Sequence, residues 1–229
     1  KNKAFDFGNG KSYDVISIVQ LIKKCSVSEA LKYLSTLDFS VQNELKYHET
    51  TGQTCNQILE IKEIQHPALI QYLKSRRVFE QKHRVKEIHY ELKGRKYFGI
   101  GFQNKSGGFE IRNPQSKICL GKKDVTLIVN DNNLKNEILI FEGFFDYLTY
   151  RNLDKSDNSN CDYLTLNSTA MFFKVEEKLK QYEKISLFLD NDKNGKSVKL
   201  KIKSQYKNVE DCSLIYHDFK DLNEWFCNI

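Results

Sequence analysis

The last hundred residues alternate short apolar runs with helix-length amphipathic stretches, and this alternation limits the fold more than any other feature of the chain. The runs are "DVTLIVN", "EILIFEG", "DYLTLN", "KISLFLDND" and "CSLIY", and helical character falls between most of them, at 144 to 152, 174 to 182, 194 to 206 and 220 to 227. Short apolar strands joined through helices need crossover connections, so the expected product is a mostly parallel sheet covered by helices. Ligands of such sheets bind beyond the carboxyl ends of the strands. Two acids fall there: Glu142 closes "ILIFE" and Asp190 closes "SLFLD", with Asp192 just after it.

Carboxylates released from two strand ends into one crevice repel each other unless a cation joins them. A divalent magnesium or manganese ion answers that need, because it takes hard oxygen ligands, one or two of them carboxylates, and leaves sites for water and phosphate oxygens. Asp190 and Asp192 are spaced to grip one ion, and Glu142 and Asp146 belong to the neighbouring strand-to-helix turn. Gly143 and Gly195 keep the two turns unobstructed. Asp-x-Asp after a strand also serves as a helix cap or a turn. The combination of the two motifs, in this order on an alternating background, is what points to a metal site.

Upstream the rhythm differs. "QILEIKEI" reads as a strand, and Pro67 opens a helix, "PALIQYLKSRR". "KEIHYEL", "RKYFGIGF" and "GGFEIRN" then form an antiparallel meander with turns at Lys93-Gly94 and Lys105-Ser106-Gly107-Gly108. Residues 66 to 125 hold 14 Lys/Arg against 5 Asp/Glu, a net of +9 within a chain of net +6 that leaves −3 for the rest. The basic surface is therefore local, as an electrostatic footprint for a polyanion would be. Before all this, residues 1 to 38 read as two helices behind a glycine turn, with Ser26 and Glu29 at capping-box spacing, and 40 to 57 read as a polar linker.

At 229 residues and 40% hydrophobic, the chain has the means to bury a core as one large domain or two compact halves. No apolar run is long enough to span a bilayer, so no membrane partner is expected. The 6 cysteines are scattered, with no Cys-x-x-Cys pair and no Cys/His set at zinc spacing, which suggests a reduced, cytoplasmic protein. The chain begins at Lys1 without a leader pattern, as a piece of a longer protein would.

Glu142-Gly143-Phe144-Phe145-Asp146, followed by Asp190-Asn191-Asp192 and Gly195, resembles the signature of the Toprim domain, shared by DnaG-type bacterial primases, type IA and II topoisomerases and some nucleases. The resemblance covers about residues 123 to 229. It implies acid/base or metal-holding work for Glu142, magnesium ligation by Asp190 and Asp192, and an additional acid at Asp146. "LNSTA" stands where the family has a small-residue loop. "HDFKDLNEWF" looks like the closing primase segment and brings Asp218, and with it Asp221, toward the metal region. "HPALIQYLKSRRV" and "YFGIGFQNKSGGFEIRN" are similar to the basic subdomain that precedes Toprim in primases. That implies a template contact at Arg112 and phosphate contacts at Arg76, Arg77, Lys122 and Lys123. "FDFGNGKSYDVISIVQLI" is similar to the tail of the Cys-His-Cys-Cys zinc finger of these primases, but Asp6 and Asn9 stand where its second cysteine pair would be, so no zinc is expected in this chain.

The expectation is thus an α/β chain of three parts: a helical remnant of the zinc-finger region (1–40), a smaller basic α+β subdomain with the antiparallel meander (41–122), and a Toprim-type sheet (123–229). The resemblance implies a bacterial, cytoplasmic nucleotidyltransferase of primase type that makes RNA primers on single-stranded DNA for a plasmid or other mobile element. Magnesium or manganese is its expected cofactor. Its expected partners are template, ribonucleoside triphosphates and, as a candidate, a replicative helicase. A Toprim nuclease and a non-catalytic single-strand-binding mobilisation module are the alternatives. No tyrosine is assignable to topoisomerase chemistry.

Overall fold

A computed structural model of the chain describes residues 4–6, 11–36, 56–130, 136–154 and 161–229. They fall into two compact units, residues 1–53 and 54–229. In the first, strand β1 (Ala4–Asp6) pairs antiparallel with β2 (Lys11–Tyr13), Ala4 opposite Tyr13, ahead of helices α1 (Val15–Lys23) and α2 (Val27–Ser35). Asp14 caps α1 by accepting the Ser17 N–H at 2.8 Å. The capping box at α2 is complete: Glu29 accepts the Ser26 N–H at 2.8 Å and Ser26 Oγ accepts the Glu29 N–H at 3.3 Å. The hairpin escapes sequence reading because three-residue strands carry no usable period. Asn9 and the expected linker up to residue 55 lie outside the described residues, and β3 begins at Gln57, the last residue of that linker.

The second unit opens with β3 (Gln57–Lys62), α3 (Pro67–Ser75), β4 (Lys86–Leu92), β5 (Arg95–Gln103), β6 (Phe109–Asn113) and β7 (Ser116–Leu120). The five strands form one antiparallel sheet in sequence order. Lys93 and Gly94 both take positive φ, 50° and 75°, as a two-residue hairpin loop with the twist of its strands requires. β7 was not foreseen. The β6–β7 turn that creates it rests on the Asn113 carboxamide oxygen, which accepts the N–H groups of Gln115 and Ser116 at 3.0 and 2.8 Å.

The chain then runs through β8 (Thr126–Ile128), β9 (Glu137–Phe141), α4 (Phe144–Leu153), β10 (Cys161–Thr165), α5 (Glu176–Leu179), β11 (Lys184–Phe188), α6 (Lys193–Gln205), β12 (Val209–Asp211) and α7 (Leu222–Asn228). The sheet order is β12-β11-β9-β10-β8, with β8 the antiparallel edge of an otherwise parallel sheet. This is the expected mixed α/β architecture. Two local expectations are corrected. "CSLIY" is not a strand: β12 stops at Asp211, whose carboxylate accepts the Ser213 N–H at 3.2 Å, and Cys212–Tyr216 coils as a 3₁₀ turn that buries Ser213 and Tyr216 three residues apart. The helix expected over 174–182 shrinks to the single turn of α5 behind a 3₁₀ turn at Thr169–Lys174.

Strand alternation sorts the core. Ile138 and Ile140 face Leu164, Leu187 and Ile202 on one side of the parallel sheet, while Leu139 and Phe141 face a second core on the other. That second core is continuous with Leu69 and Leu73 of α3 and with Ile100 and Phe102 of β5, so both sheets of the unit share it.

Glu87, on β4, fixes the start of α3. Its carboxylate is 1% exposed and accepts the N–H groups of Gln65 and His66 at 3.0 and 2.8 Å, with His89 Nε2 at 2.7 Å. Burial pushes its pKa up, but the donors of Gln65, His89 and His66 and the charge of Lys62 outweigh that and hold it down at about 2. The folded value lies below the ordinary one, so the contribution to stability is present above pH ~4.5 and is lost as pH falls toward 2; it amounts to roughly 3 kcal/mol. Glu87→Gln is expected to lower the melting temperature at pH 7 and to flatten the acid limb of a melting-temperature profile between pH 4.5 and 2. An unchanged limb in that titration would show that other carboxylates carry it.

Candidate active site

β9 and β11 are direct parallel neighbours with Phe141 opposite Phe188, so the residues that leave their carboxyl ends emerge side by side. Glu142 follows β9 and Gly143 starts α4. Two residues beyond β11 comes Asp190, and Asp192 becomes the N-cap of α6: its Oδ1 accepts the N–H groups of Asn194 and Gly195, each at 2.9 Å. The two readings of Asp-x-Asp thus coincide in Asp192, which caps a helix and also joins the acid cluster. Gly195 is required by contact: a Cβ there would lie 2.1 Å from the Asp190 carbonyl oxygen, so the first turn of α6 is seated on the Asp190 backbone.

Glu142, Asp190 and Asp192 each offer one carboxylate oxygen within 4.8 Å of the others. Oε2 of Glu142 is buried with no hydrogen-bond partner. A buried carboxylate oxygen is costly to leave unpaired, and an incoming cation is the partner this geometry accepts. Three hard oxygens around one point suit magnesium or manganese, whose other ligands are water and phosphate. The residues present fit such an ion.

The electrostatics agree. Burial first, then the charges of Asp190 and Asp192, raise the Glu142 pKa to about 7. Burial and Asp221 raise Asp190 to about 6 against the opposing charge of Lys220. Asp146, buried in the first turn of α4, is held well above the usual carboxylate range by burial and by Asp221 and Asp190; its Oδ1 accepts the Asn223 N–H at 3.2 Å. These acids open on a cavity of about 160 Å³ whose other walls carry Tyr72, Arg76, Arg112, Lys117 and Lys220. Carboxylates and cationic side chains thus line one cavity, a combination that a bound metal with a polyanion would complement.

Of the residues singled out from sequence, Glu142, Asp146, Asp190, Arg76 and Arg112 line this cavity, and Asp192 adjoins it through the acid cluster. Arg76 lies 5.1 Å from the Phe145 ring centroid. Arg77 is drawn elsewhere, donating to the carbonyls of Phe226 and Ile229. Lys123 pairs with Glu110 at 3.2 Å, and Lys122 is exposed and does not line the cavity. Asp218 is not brought to the cluster: its side chain is 75% exposed and pairs with His217 at 3.1 Å. Asp221 lines the cavity and caps α7 through the Glu224 N–H at 2.7 Å.

Four contributors were not anticipated: Lys117, Lys220, Asn191 and Asn223. Asn191, between the two aspartates, donates to the carbonyls of Tyr216 and Phe219, both at 3.0 Å, and accepts from Lys199 at 3.0 Å. Asn223 is 0% exposed and donates to Arg76 O at 2.9 Å and Thr149 Oγ1 at 2.7 Å, tying α7 to α3 and α4. A small amide inside an acidic motif was the available signal for Asn191; Asn223 offered none.

Residues 139–226 match the Toprim-like family, and residues 58–121 match a domain of unknown function, DUF8464. The carboxyl-terminal part of the chain is a Toprim-like domain. No curated protein sequence matches the chain. Among solved structures, the primase fragment of the bacteriophage T7 primase-helicase protein is similar at a TM-score of 0.50 and 17% identity, over 73% of this chain and 71% of that one. The zinc-binding and RNA polymerase domains of the Aquifex aeolicus primase align at a TM-score of 0.36 and 18% identity, over 98% of this chain and 71% of that one.

The raised carboxylates make metal-free stability fall as pH rises from about 4, where they titrate in the unfolded chain, to about 6 to 7, where they titrate folded, because Glu142 and Asp190 bind protons more tightly folded than unfolded. Magnesium or manganese is therefore expected to raise the melting temperature at pH 8 and to do little at pH 5.5, where protons hold the same oxygens. Asp192→Asn, which keeps a capping side chain, is expected to remove most of that metal shift while preserving the metal-free melt. Asp192→Ala loses in addition ~1 kcal/mol of cap. Equal metal shifts at both pH values, measured by thermal denaturation, would contradict the assignment.

Proposed function

We propose that this chain is the core of a primase-type nucleotidyltransferase that synthesises RNA primers on single-stranded DNA, in the replication or mobilisation of a plasmid or other mobile element. The observation that carries the reading is the cavity that Glu142, with its unpartnered buried oxygen, and Asp190 line together with Arg76, Arg112 and Lys117, while Asp192 joins the two acids beside it. The Toprim-like match over 139–226 and the likeness of the fold to a primase fragment support it.

Glu142, Asp190 and Asp192, with Asp146 behind them, would hold magnesium or manganese, which when bound supplies charge neutralisation at the attacking and leaving oxygens of phosphoryl transfer. Arg112 and Arg76 bind and orient phosphates of template or triphosphate, with salt-sensitive affinity. Glu142 would also take the proton of an attacking ribose hydroxyl, a task that its raised proton affinity suits. Division of labour follows the chain: residues 41–122 guide the template and 123–229 perform the chemistry. A replicative helicase is the partner such a core would serve.

The test is ribonucleotide incorporation on single-stranded DNA with magnesium or manganese. Metal-dependent oligomers are expected from the wild type, and Asp190→Asn or Glu142→Gln should reduce them at least ~100-fold. Arg112→Ala is expected to weaken single-strand binding and to reduce the slope of log affinity against log salt by about 1. Metal-dependent degradation of the DNA without synthesis would instead identify a nuclease, and binding without either reaction a non-catalytic module.

A further inference from the structure

Lys220 occupies an unusual position in this cavity. Its backbone is fixed: the N–H donates to Glu224 Oε2 at 2.7 Å and the carbonyl accepts the Asn191 N–H at 2.7 Å, which locks it to the loop carrying Asp190 and Asp192. Its side chain is 59% exposed, and Nζ lies 3.5 Å from Asp190 Oδ2. Among the described residues this is the ion pair that reaches a cluster carboxylate. A 3.5 Å contact is longer than a well-formed charge-assisted hydrogen bond, and a lysine on a flexible stem leaves it at little cost.

We propose that Lys220 is the resident counter-ion of the acid cluster, a positioning residue that holds Asp190 beside Glu142 and Asp192 in the metal-free protein and must withdraw when a divalent ion enters. This rests on the metal reading given above and deepens it. A dication and an ammonium held by the one Asp190 carboxylate repel at close range, so the two compete for it. The affinity for metal is thereby set lower than the three carboxylates alone would give. The cost is local to Lys220, because Arg76, Arg112 and Lys117, which line the same cavity, form no ion pair with Asp190 among the described residues. Once displaced, the ammonium stays tethered at the cavity rim, where it is free to meet a phosphate.

The experiment is manganese binding to the full chain at pH 8, followed by electron paramagnetic resonance of the free ion, for wild type, Lys220→Met and Lys220→Arg. Removing one exposed, screened positive charge beside the ion is expected to tighten binding about fivefold to tenfold in Lys220→Met. Lys220→Arg, which keeps the charge, should stay within about twofold of wild type. Lys220→Gln provides a second neutral variant should the methionine form fail to fold, and thermal melting checks each. A merely structural role predicts weaker binding in the neutral variants, so unchanged or weakened affinity in a natively melting variant overturns the proposal. Manganese binding by neither wild type nor neutral variants overturns the metal reading and this inference together, whereas binding by wild type without tightening overturns this inference alone.

Discussion

The parallel pairing that sets Phe141 opposite Phe188 decides where every acid of the cleft falls. Their rings stack 5.2 Å apart on one face of the sheet, while Ile138 and Ile140 fill the other. A one-residue slip of β11 against β9 would exchange those faces and bury the wrong set, so the apolar pattern fixes the register firmly. The same register brings Glu142 and Asp190 out on neighbouring strands. Hydrophobic packing thus creates the like-charge repulsion, and the remaining polar architecture of the unit is arranged around it.

Part of that arrangement is the carboxyl-terminal segment, which the chain folds back over the strand ends. Asn191 spans from the aspartate loop to the carbonyls of Tyr216 and Phe219, and Lys199, buried beneath, donates to Asn191 Oδ1 at 3.0 Å and to Ser213 Oγ at 2.6 Å. These bonds deliver Lys220 and Asp221 to the cavity. Asn223 performs the corresponding task on the other side, joining Asp146, Thr149 and the end of α3. Each amide is satisfied by several partners at once, the condition under which a buried polar group specifies a fold instead of weakening it.

Much of this was legible in the sequence, and the boundary of legibility is physical. The strands β9, β10 and β11 announce themselves because both faces are buried and the runs are mostly apolar. The acids that follow them needed only that periodicity to be placed. "CSLIY" misled because an apolar run of strand length says nothing about the Asp211 cap that turns it into a 3₁₀ coil. Asp218 and Asp221 are three residues apart in one polar segment, and sequence gives no reason to prefer the second. The choice is made by the α7 cap, which holds Asp221 inward and leaves Asp218 to His217. Arg77 and Arg76 differ likewise through backbone: Arg77 sits at φ 52° just past the end of α3 and so points toward the carboxyl terminus, while Arg76 remains over Phe145.

Net charge was informative only as an average. The positive excess of residues 66 to 125 is real, yet several of its members are spent within the fold, Lys123 on Glu110 and Arg77 on backbone carbonyls. What faces the acids is a smaller set, Arg76, Arg112 and Lys117, held there because α3, β6 and β7 belong to the unit whose core also carries Phe141 and Phe144. The shared core therefore does more than stabilise two sheets: it brings cationic and anionic side chains to one cavity. Among the described residues none of these three cations forms an ion pair with Glu142 or Asp190, so burial keeps the acids' proton affinity raised and the orphaned Glu142 oxygen keeps its want of a partner. A site that its own protein leaves unsatisfied, against the ordinary cost of an unpaired buried oxygen, is one whose remaining ligand comes from outside.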